Sequence, residues 1–401
     1  MANPNSSFES ALDPQRQQDR PGSSSEASVS AVVVNHNGGK QILACIEHLD
    51  AQETAIQEII VVDNGSTDGS LAETRRLCPH VRIVELGQNM GPSIARNRGA
   101  QAARAATVLF VDDDVFLGPD TLTLLWRCRT ESGAAAVTPR LVLTPDTSVI
   151  QLDGAEAHFV GTMQLRNGRK KTHEVGAGRQ PIGAFSTSCV LIDRAIFLDV
   201  GGFDEMFFIY LEDLELGLRL HALGHALQCE ANAVAIHDRG QGTPGLSFRD
   251  QGSYPKYRAY LTMRNRLQII IIHYRFRSLL VLSPALALYE LMIFAYVLKS
   301  GWLRQWAEAW LWQLRNAKSL RARRAAVQCR KQVEEGLLLS GGDLPIAAGL
   351  LSTGLETRLL AALSWLLDGY WKGARRLLGW RACDAGAAPL PHGEEENIKQ
   401  D

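Results

Sequence analysis

No two cysteines of this chain stand in CxxC spacing, and their number is odd: Cys45, Cys78, Cys128, Cys189, Cys229, Cys329 and Cys383. Neither a disulfide framework nor a zinc site is suggested, and a reducing compartment is expected. Residues 1–28 lack any apolar run and are mostly Ser, Gln, Pro, Asp and Glu around isolated hydrophobes, which excludes a signal peptide and predicts a disordered tail. A complete glycine-rich phosphate loop is missing too. Asn37-Gly-Gly-Lys40 is only a fragment of one, which counts against a nucleotidyltransferase of that type. Formal net charge is almost nil, −1 over 401 residues, a length that holds one large domain with appendages or two to three ordinary ones.

What is present is a repeated alternation. Val29 to Asn35 is a β-branched run ending in Asn-His-Asn-Gly-Gly, and Ile42, Cys45, Ile46 and Leu49 then recur at helical spacing. Glu58 to Val62 predicts a second strand, Ser70 to Leu77 a helix, Val81 to Leu86 a third strand, and Gly91 to Ala103 a small-residue helix. Ala106 to Val111 predicts a fourth strand, apolar enough to be buried on both faces. Strand and helix in strict alternation predict an α/β fold with a mostly parallel sheet and crossover helices. Residues 134–179 read only as short strands and glycine-rich basic loops.

Ligands of such sheets collect at the carboxyl ends of the strands, and here those ends are polar. Asn35, Asp63 and the run Asp112-Asp-Asp114 are expected to converge there. Three adjacent carboxylates repel one another unless a cation lies among them, and oxygen ligands suit Mg2+ or Mn2+. The same residues would also serve as a solvated acidic turn before the helix at Asp120, and Asp63 to Asp68 as a glycine-containing turn with a helix cap. Further on, Leu211, Leu214 and Leu218 predict a helix with Glu215 four residues before Arg219. Glu212 and Asp213 fall in its first turn, where acids also favour the helix dipole.

Five stretches in this order resemble the inverting family 2 glycosyltransferases of GT-A fold, and among them bacterial rhamnosyltransferase-like enzymes of cell-surface polysaccharides. They are Val32-Val-Val-Asn-His-Asn37, Val61-Val-Asp-Asn-Gly-Ser-Thr-Asp68, Asn89 to Gly99, Phe110-Val-Asp-Asp-Asp-Val115, and Gly201-Gly-Phe-Asp-Glu205 with Glu212-Asp213. The resemblance implies a nucleotide-sugar donor (UDP-, dTDP- or GDP-linked) and an acceptor hydroxyl on a glycolipid or polysaccharide. It places Asn35, Asp63, Arg96, Asp112 and Asp113 on the nucleotide side. Asp112, Asp114 and His237 are implied as ligands of Mg2+ or Mn2+, Asp213 as the general base, and Glu212 as its neighbour. Where the family commonly reads Glu-Asp-x-Asp, this chain has Glu215 in the last place. A non-catalytic nucleotide- or glycan-binding subunit of a polysaccharide assembly is the alternative, against which the intact acids argue.

Between Arg249 and Lys331 there are 16 Lys or Arg against three acids, a local net of +13, and the remainder carries −14. With Trp, Tyr and long aliphatic runs interleaved, this segment predicts contact with an anionic membrane surface, not nucleic acid. Leu279 to Leu298 is just long enough to span a bilayer but contains Pro284 and Glu290. Helices lying in the interface, with Arg and Lys snorkelling to head groups, are expected over a span, a packed helical subdomain being the other reading. The expected organisation is a tail (1–28), a GT-A catalytic domain (29–250), a helical membrane-associated region (251–382) and a second tail (383–401), at the cytoplasmic face of the cell membrane.

Overall fold

A computed structural model describes residues 27–238, 254–345 and 354–380. The expected tails, residues 27–28 apart, and the expected boundary at 250 and 251 lie outside the described residues.

The predicted alternation is present: β1 (Val29–Asn35), α1 (Gln41–Asp50), β2 (Glu58–Asp63), α2 (Ser70–Leu77), β3 (Arg82–Glu85), α3 (Pro92–Ala102) and β4 (Thr107–Asp112). These strands pair in parallel in the order β4-β1-β2-β3, with Val34 opposite both Val62 and Asp112, which levels the polar strand ends. β5 (Val115–Leu117) and α4 (Thr121–Ser132) follow, then β6 (Ala136–Leu143), β7 (Ile150–Leu152), β8 (Ala155–His158), β9 (Thr162–Leu165) and β10 (Arg179–Pro181). β11 (Cys189–Asp193), α5 (Arg194–Asp199), α6 (Glu212–Ala222) and β12 (Leu227–His237) complete this part. The sheet is mixed and ten-stranded, in the order β10-β12-β6-β11-β4-β1-β2-β3, with β5 on β12 and β7 on β6; β8 and β9 form a separate hairpin.

β6 is the element hidden in residues 134–179. Its sequence Ala-Val-Thr-Pro-Arg-Leu-Val-Leu interrupts an apolar run with Pro139 and Arg140, which reads as a loop. In the sheet, Pro139 sits where the register of β12 shifts between Glu230 and Val234, so its missing N–H falls at an irregularity. Arg140 is buried because Asp153 receives it in a fork, Nε to Oδ1 and Nη2 to Oδ2, both at 2.7 Å.

Helices α7 (Lys256–His273), α8 (Phe276–Ser300), α9 (Leu303–Arg315), α10 (Ala317–Arg330), α11 (Glu335–Leu338) and α12 (Gly354–Leu377) make up the C-terminal region. They share one apolar cluster with the sheet-bearing part: Phe159, Phe207, Leu214 and Leu218 pack with Ile269, Leu282, Leu367 and Trp371. α7 differs from expectation. Arg264 and Arg266 do not snorkel: both are buried, Arg264 on the carbonyl of Phe207 and Arg266 on that of Val160 and on Glu290. A guanidinium satisfied by backbone carbonyls and a carboxylate is more stable inside than an isoleucine-rich helix would be outside.

The outer helices behave otherwise. α8 exposes Leu280, Leu291 and Leu298, and α12 exposes Leu355, Leu359, Leu366 and Leu377. Each set recurs at multiples of three to four residues, so each is one helix face, and both faces are aliphatic. Among the described residues α8 is the one helix long and apolar enough to cross a membrane. Glu290, the residue that argued against a span, accepts hydrogen bonds from Arg266, Trp306 and Trp310.

Candidate active site

The site forms where β4 ends. Asp112 is the last strand residue, Asp113 and Asp114 make the turn, and β5 begins at Val115. Pairing of β5 with β12 puts His237 opposite Val115, and the amide of Asp238 donates to the Asp114 carbonyl at 2.8 Å. Register alone therefore delivers His237 to Asp114, Nε2 to Oδ1 at 3.2 Å.

Each of the three acids has a different environment. Asp112 accepts from Arg96 Nη2 at 2.7 Å. Asp113 is pushed well above the usual carboxylate range, by burial first and then by Asp114 and Asp112. It fits because Gly38 has no side chain: a Cβ there would lie 2.5 Å from Asp113 Oδ2. Asp114 faces His237, whose Nδ1 meets Gln151 Oε1 at 2.8 Å. With Nδ1 engaged by the amide, Nε2 is the ring nitrogen that faces the carboxylate.

Two acceptors about 3 Å apart suit neighbouring positions on a cation whose bonds are about 2.1 Å, so Asp114 and His237 fit Mg2+ or Mn2+. Among the described residues no group of three or more His, Cys, Asp or Glu side chains gathers as a metal site. A cation held by two residues must complete its shell with water and substrate oxygens, the habit of Mg2+ at phosphate sites.

The opposite wall is the start of α6. Phe208, Tyr210 and Leu211 all have positive φ, 64°, 71° and 62°. Three strained residues in four need external support. Asn265 of α7 gives it, its Nδ2 donating to the carbonyls of Phe207, Ile209 and Tyr210 at 3.0, 2.9 and 2.7 Å. Ser93 adds a hydrogen bond to the Phe208 carbonyl, and Gly91 leaves room for the Phe208 ring, which a Cβ would meet at 2.5 Å.

α6 then presents Glu212 and Asp213. Burial first and the Glu212 carboxylate second push Asp213 up to about 8, against the pull of the Leu214 amide and Arg96. Glu212 is also raised by burial, offset in part by Arg96, which reaches its Oε1 at 3.1 Å. Its Oε2 is buried with no hydrogen-bond partner among the described residues, so a polar atom is left for a bound molecule to satisfy. Burial opposes the charge of Arg96, yet Asp112 and Glu212 outweigh it and raise its pKa. Glu215 turns inward instead: Arg219 pairs with it at 2.5 Å, and His273, its own pKa lowered by burial, bonds it at 3.2 Å. Its role is to dock α6 on α7.

Asn35 and Asp63 are brought together, but with each other. Asn35 Nδ2 donates to Asp63 Oδ1 at 3.0 Å and to Ser70 at 3.0 Å, and both residues are buried beneath the cleft. Their sequence neighbours line it in their place. His36 Nδ1 meets the Asn64 carbonyl at 2.9 Å, Asn64 Nδ2 donates to Asn89 Oδ1 at 3.1 Å, and Asn89 Nδ2 lies 3.0 Å from His36 Nε2. The signal was available: side chains alternate along a strand, so the residue after an inward one faces the ligand side. Arg96, Asp112, Asp113, Asp114, His237, Glu212 and Asp213 all line one cleft of about 1850 Å3.

Residues 30–201 match the sequence model described as glycosyl transferase family 2. The N-acetylglucosaminyl-diphospho-decaprenol L-rhamnosyltransferase of Mycobacterium tuberculosis is 28% identical over 234 residues, covering 53% of this chain and 76% of that protein. A low-salt glycan biosynthesis hexosyltransferase of Haloferax volcanii is 24% identical over 248 residues, covering 59% of this chain and 74% of its own. Among solved structures, GalNAc-T7 with UDP, GalNAc and Mn2+ superposes with a TM-score of 0.49 at 17% identity, over 61% of this chain; the chain spans about half (48%) of that structure's length.

Proposed function

This chain belongs to glycosyl transferase family 2, and on that premise we propose that it transfers a sugar from a nucleotide-diphosphate sugar to a hydroxyl of a lipid-linked or polysaccharide acceptor, with inversion. The observation that carries the reading is Arg96, which ties Asp112 at the end of β4 to Glu212 at the start of α6. It links an acid expected to meet the donor to Glu212, the neighbour of the acid expected to take a proton, in a single cleft.

In this reading Asp213 removes the acceptor proton as the hydroxyl oxygen attacks C1 of the donor sugar. The bond from C1 to the diphosphate oxygen breaks, its electron pair leaves with the nucleoside diphosphate, and Asp213 keeps the proton. One carboxylate on the face opposite the leaving group gives one displacement and hence inversion. A raised pKa suits that role, because a base titrating near neutrality holds a proton better than an ordinary carboxylate. Asp114 and His237 would hold a divalent cation, which supplies positive charge to the departing diphosphate. Glu212 Oε2, buried without a hydrogen-bond partner among the described residues, would accept from a sugar hydroxyl, and the wall of His36, Asn64 and Asn89 would meet the nucleoside.

The exposed aliphatic faces of α8 and α12 support attachment to a membrane, and the basic charge between residues 249 and 331 supports an anionic one. The absence of CxxC spacing and the odd number of cysteines support a reducing, cytoplasmic side for the site. The direct test is hydrolysis and transfer with a panel of UDP-, dTDP- and GDP-sugars in Mg2+ or Mn2+. Release of nucleoside diphosphate from at least one, lost in Asp114→Ala, is expected; no release from any of them would refute the reading.

A further inference from the structure

The cleft is larger than its donor end requires. Small-ligand pockets occupy roughly 300–1,000 Å3, whereas this one is about 1850 Å3. Its character changes along its length. The catalytic acids line one end, and at the other the walls are Met292, Ile293 and Tyr296 of α8 and Leu359, Leu360 and Leu363 of α12.

α8 and α12 run antiparallel and are tied at two places, by the ion pair of Lys299 with Glu356 and by Tyr370 Oη donating to the Val281 carbonyl at 2.7 Å. Between the ties lies an aliphatic channel. Tyr296 and Trp302 meet edge to face at 5.5 Å, so their rings are engaged with each other and not laid out as a platform for sugars. Leu359 both lines the cleft and is 62% exposed, so the channel opens sideways at this residue, onto the face that carries Leu355 and Leu366.

We infer that this channel is the acceptor's lipid subsite: the acceptor is an amphiphile whose aliphatic chain lies between α8 and α12 and leaves at Leu359, while its hydroxyl-bearing head reaches Asp213. The inference rests on the sugar-transfer reading for the role of the head. The occupant follows from continuity. A hydrocarbon-lined passage in one cavity with the catalytic acids is stably filled by hydrocarbon, and a hydrocarbon that enters with a reacting hydroxyl must be joined to it. A polysaccharide would leave its hydroxyls unpaired there.

The test uses the full chain in detergent micelles and a long-chain polyprenyl diphosphate carrying a diazirine in mid-chain. Photolabelled peptides are mapped by mass spectrometry. Label is expected on Tyr289, Met292, Ile293 and Tyr296 and between residues 359 and 363, displaced by unlabelled long-chain polyprenyl diphosphate and at least tenfold less well by geranyl diphosphate, since two or so lost methylenes already cost that factor. Ile293→Trp and Leu363→Trp narrow the channel from opposite walls, and each should reduce this label at least tenfold. Label confined to Leu291, Leu298, Leu355 and Leu366 would overturn the proposal, because it marks surface adsorption alone. So would equal channel labelling by a diazirine phospholipid, which would make the groove a seat for bilayer lipid. If a tryptophan variant fails to fold, as circular dichroism would reveal, the wild-type map and its competition still decide. Labelling needs neither donor nor turnover, so its outcome is separate from that of the nucleotide-sugar panel.

Discussion

Arg96 donates to Glu212 Oε1 at 3.1 Å across 116 residues of sequence, and the pair is buried. The same guanidinium holds Asp112, so the end of a strand and the start of a helix are fixed to one planar group. Neither carboxylate can shift without the other.

That geometry predicts how Arg96 variants fail. Lysine keeps the charge but cannot present two N–H groups to two carboxylates in one plane. Arg96→Lys should fold and lose roughly 10²-fold in transfer rate, the scale of an ångström's misplacement. Arg96→Met leaves two carboxylates unpaired in a buried place and should cost about 3–5 kcal/mol of stability. Steady-state kinetics beside urea melts would separate these effects; equal activity in Arg96→Lys and the wild type would dismiss the clamp.

A second expectation concerns Asp114. Asp114→Ala should abolish donor turnover and leave the melting temperature nearly unchanged, because the residue lies in a turn outside the apolar core. Excess EDTA should do the same to the unaltered protein, and added Mg2+ or Mn2+ should restore it. Full turnover in EDTA would exclude the cation.

Most of the catalytic half was legible in the sequence because parallel strands buried on both faces are written as continuous apolar runs, and each run here ends in polar residues. β6 was not, since Pro139 and Arg140 are tolerated only through a bulge in β12 and a buried partner at Asp153, neither of which is local. Asp114 and Asp213 line the cleft. Asn35 and Asp63 occupy the expected strand ends, but their hydrogen bonds to each other are tertiary, and no spacing rule announces them. Composition showed an apolar, basic stretch across α7, yet could not say that Arg264 and Arg266 would be enclosed.

Asn265 carries a third prediction. Its amide supports the carbonyls of Ile209 and Tyr210 in the strained turn before α6 and shares that of Phe207 with Arg264, and each buried acceptor left unpaired costs about 1–3 kcal/mol. Asn265→Leu should therefore destabilise the protein and lower kcat more than it weakens binding of nucleoside diphosphate, since the donor acids stand on other elements. Loss of both in equal measure would mean that the turn has no special link to the base.

Membrane attachment is tested on the outer faces. The protein should sediment with anionic vesicles, less so in high salt, and the double change Leu291→Asp with Leu366→Asp should release it without altering the fold, because both side chains are already exposed. Unchanged sedimentation in that variant would reduce these faces to unremarked surface.

The last prediction separates catalysis from helix electrostatics at Asp213. As a base, Asp213 acts in its carboxylate form, and with its pKa pushed up to about 8 the rate should climb with pH to about 8 and level off above it. Asp213→Asn should lose roughly 10²- to 10⁴-fold in rate and the pH dependence together, while Glu212→Gln is milder. Stability should move the other way. An acid whose folded pKa lies above its unfolded value of about 4 binds a proton in the folded state that the unfolded chain has already released, so stability falls as pH rises from about 4 through 8. The amide removes that dependence, and the variant should gain on the wild type most above pH 8 and least below pH 4. If Asp213 served only to favour the helix dipole, Asparagine would instead cost roughly 0.3–1 kcal/mol wherever the acid is charged and leave turnover alone. Thermal melts at several pH values, run beside the rate profile, give opposite signs for the two roles.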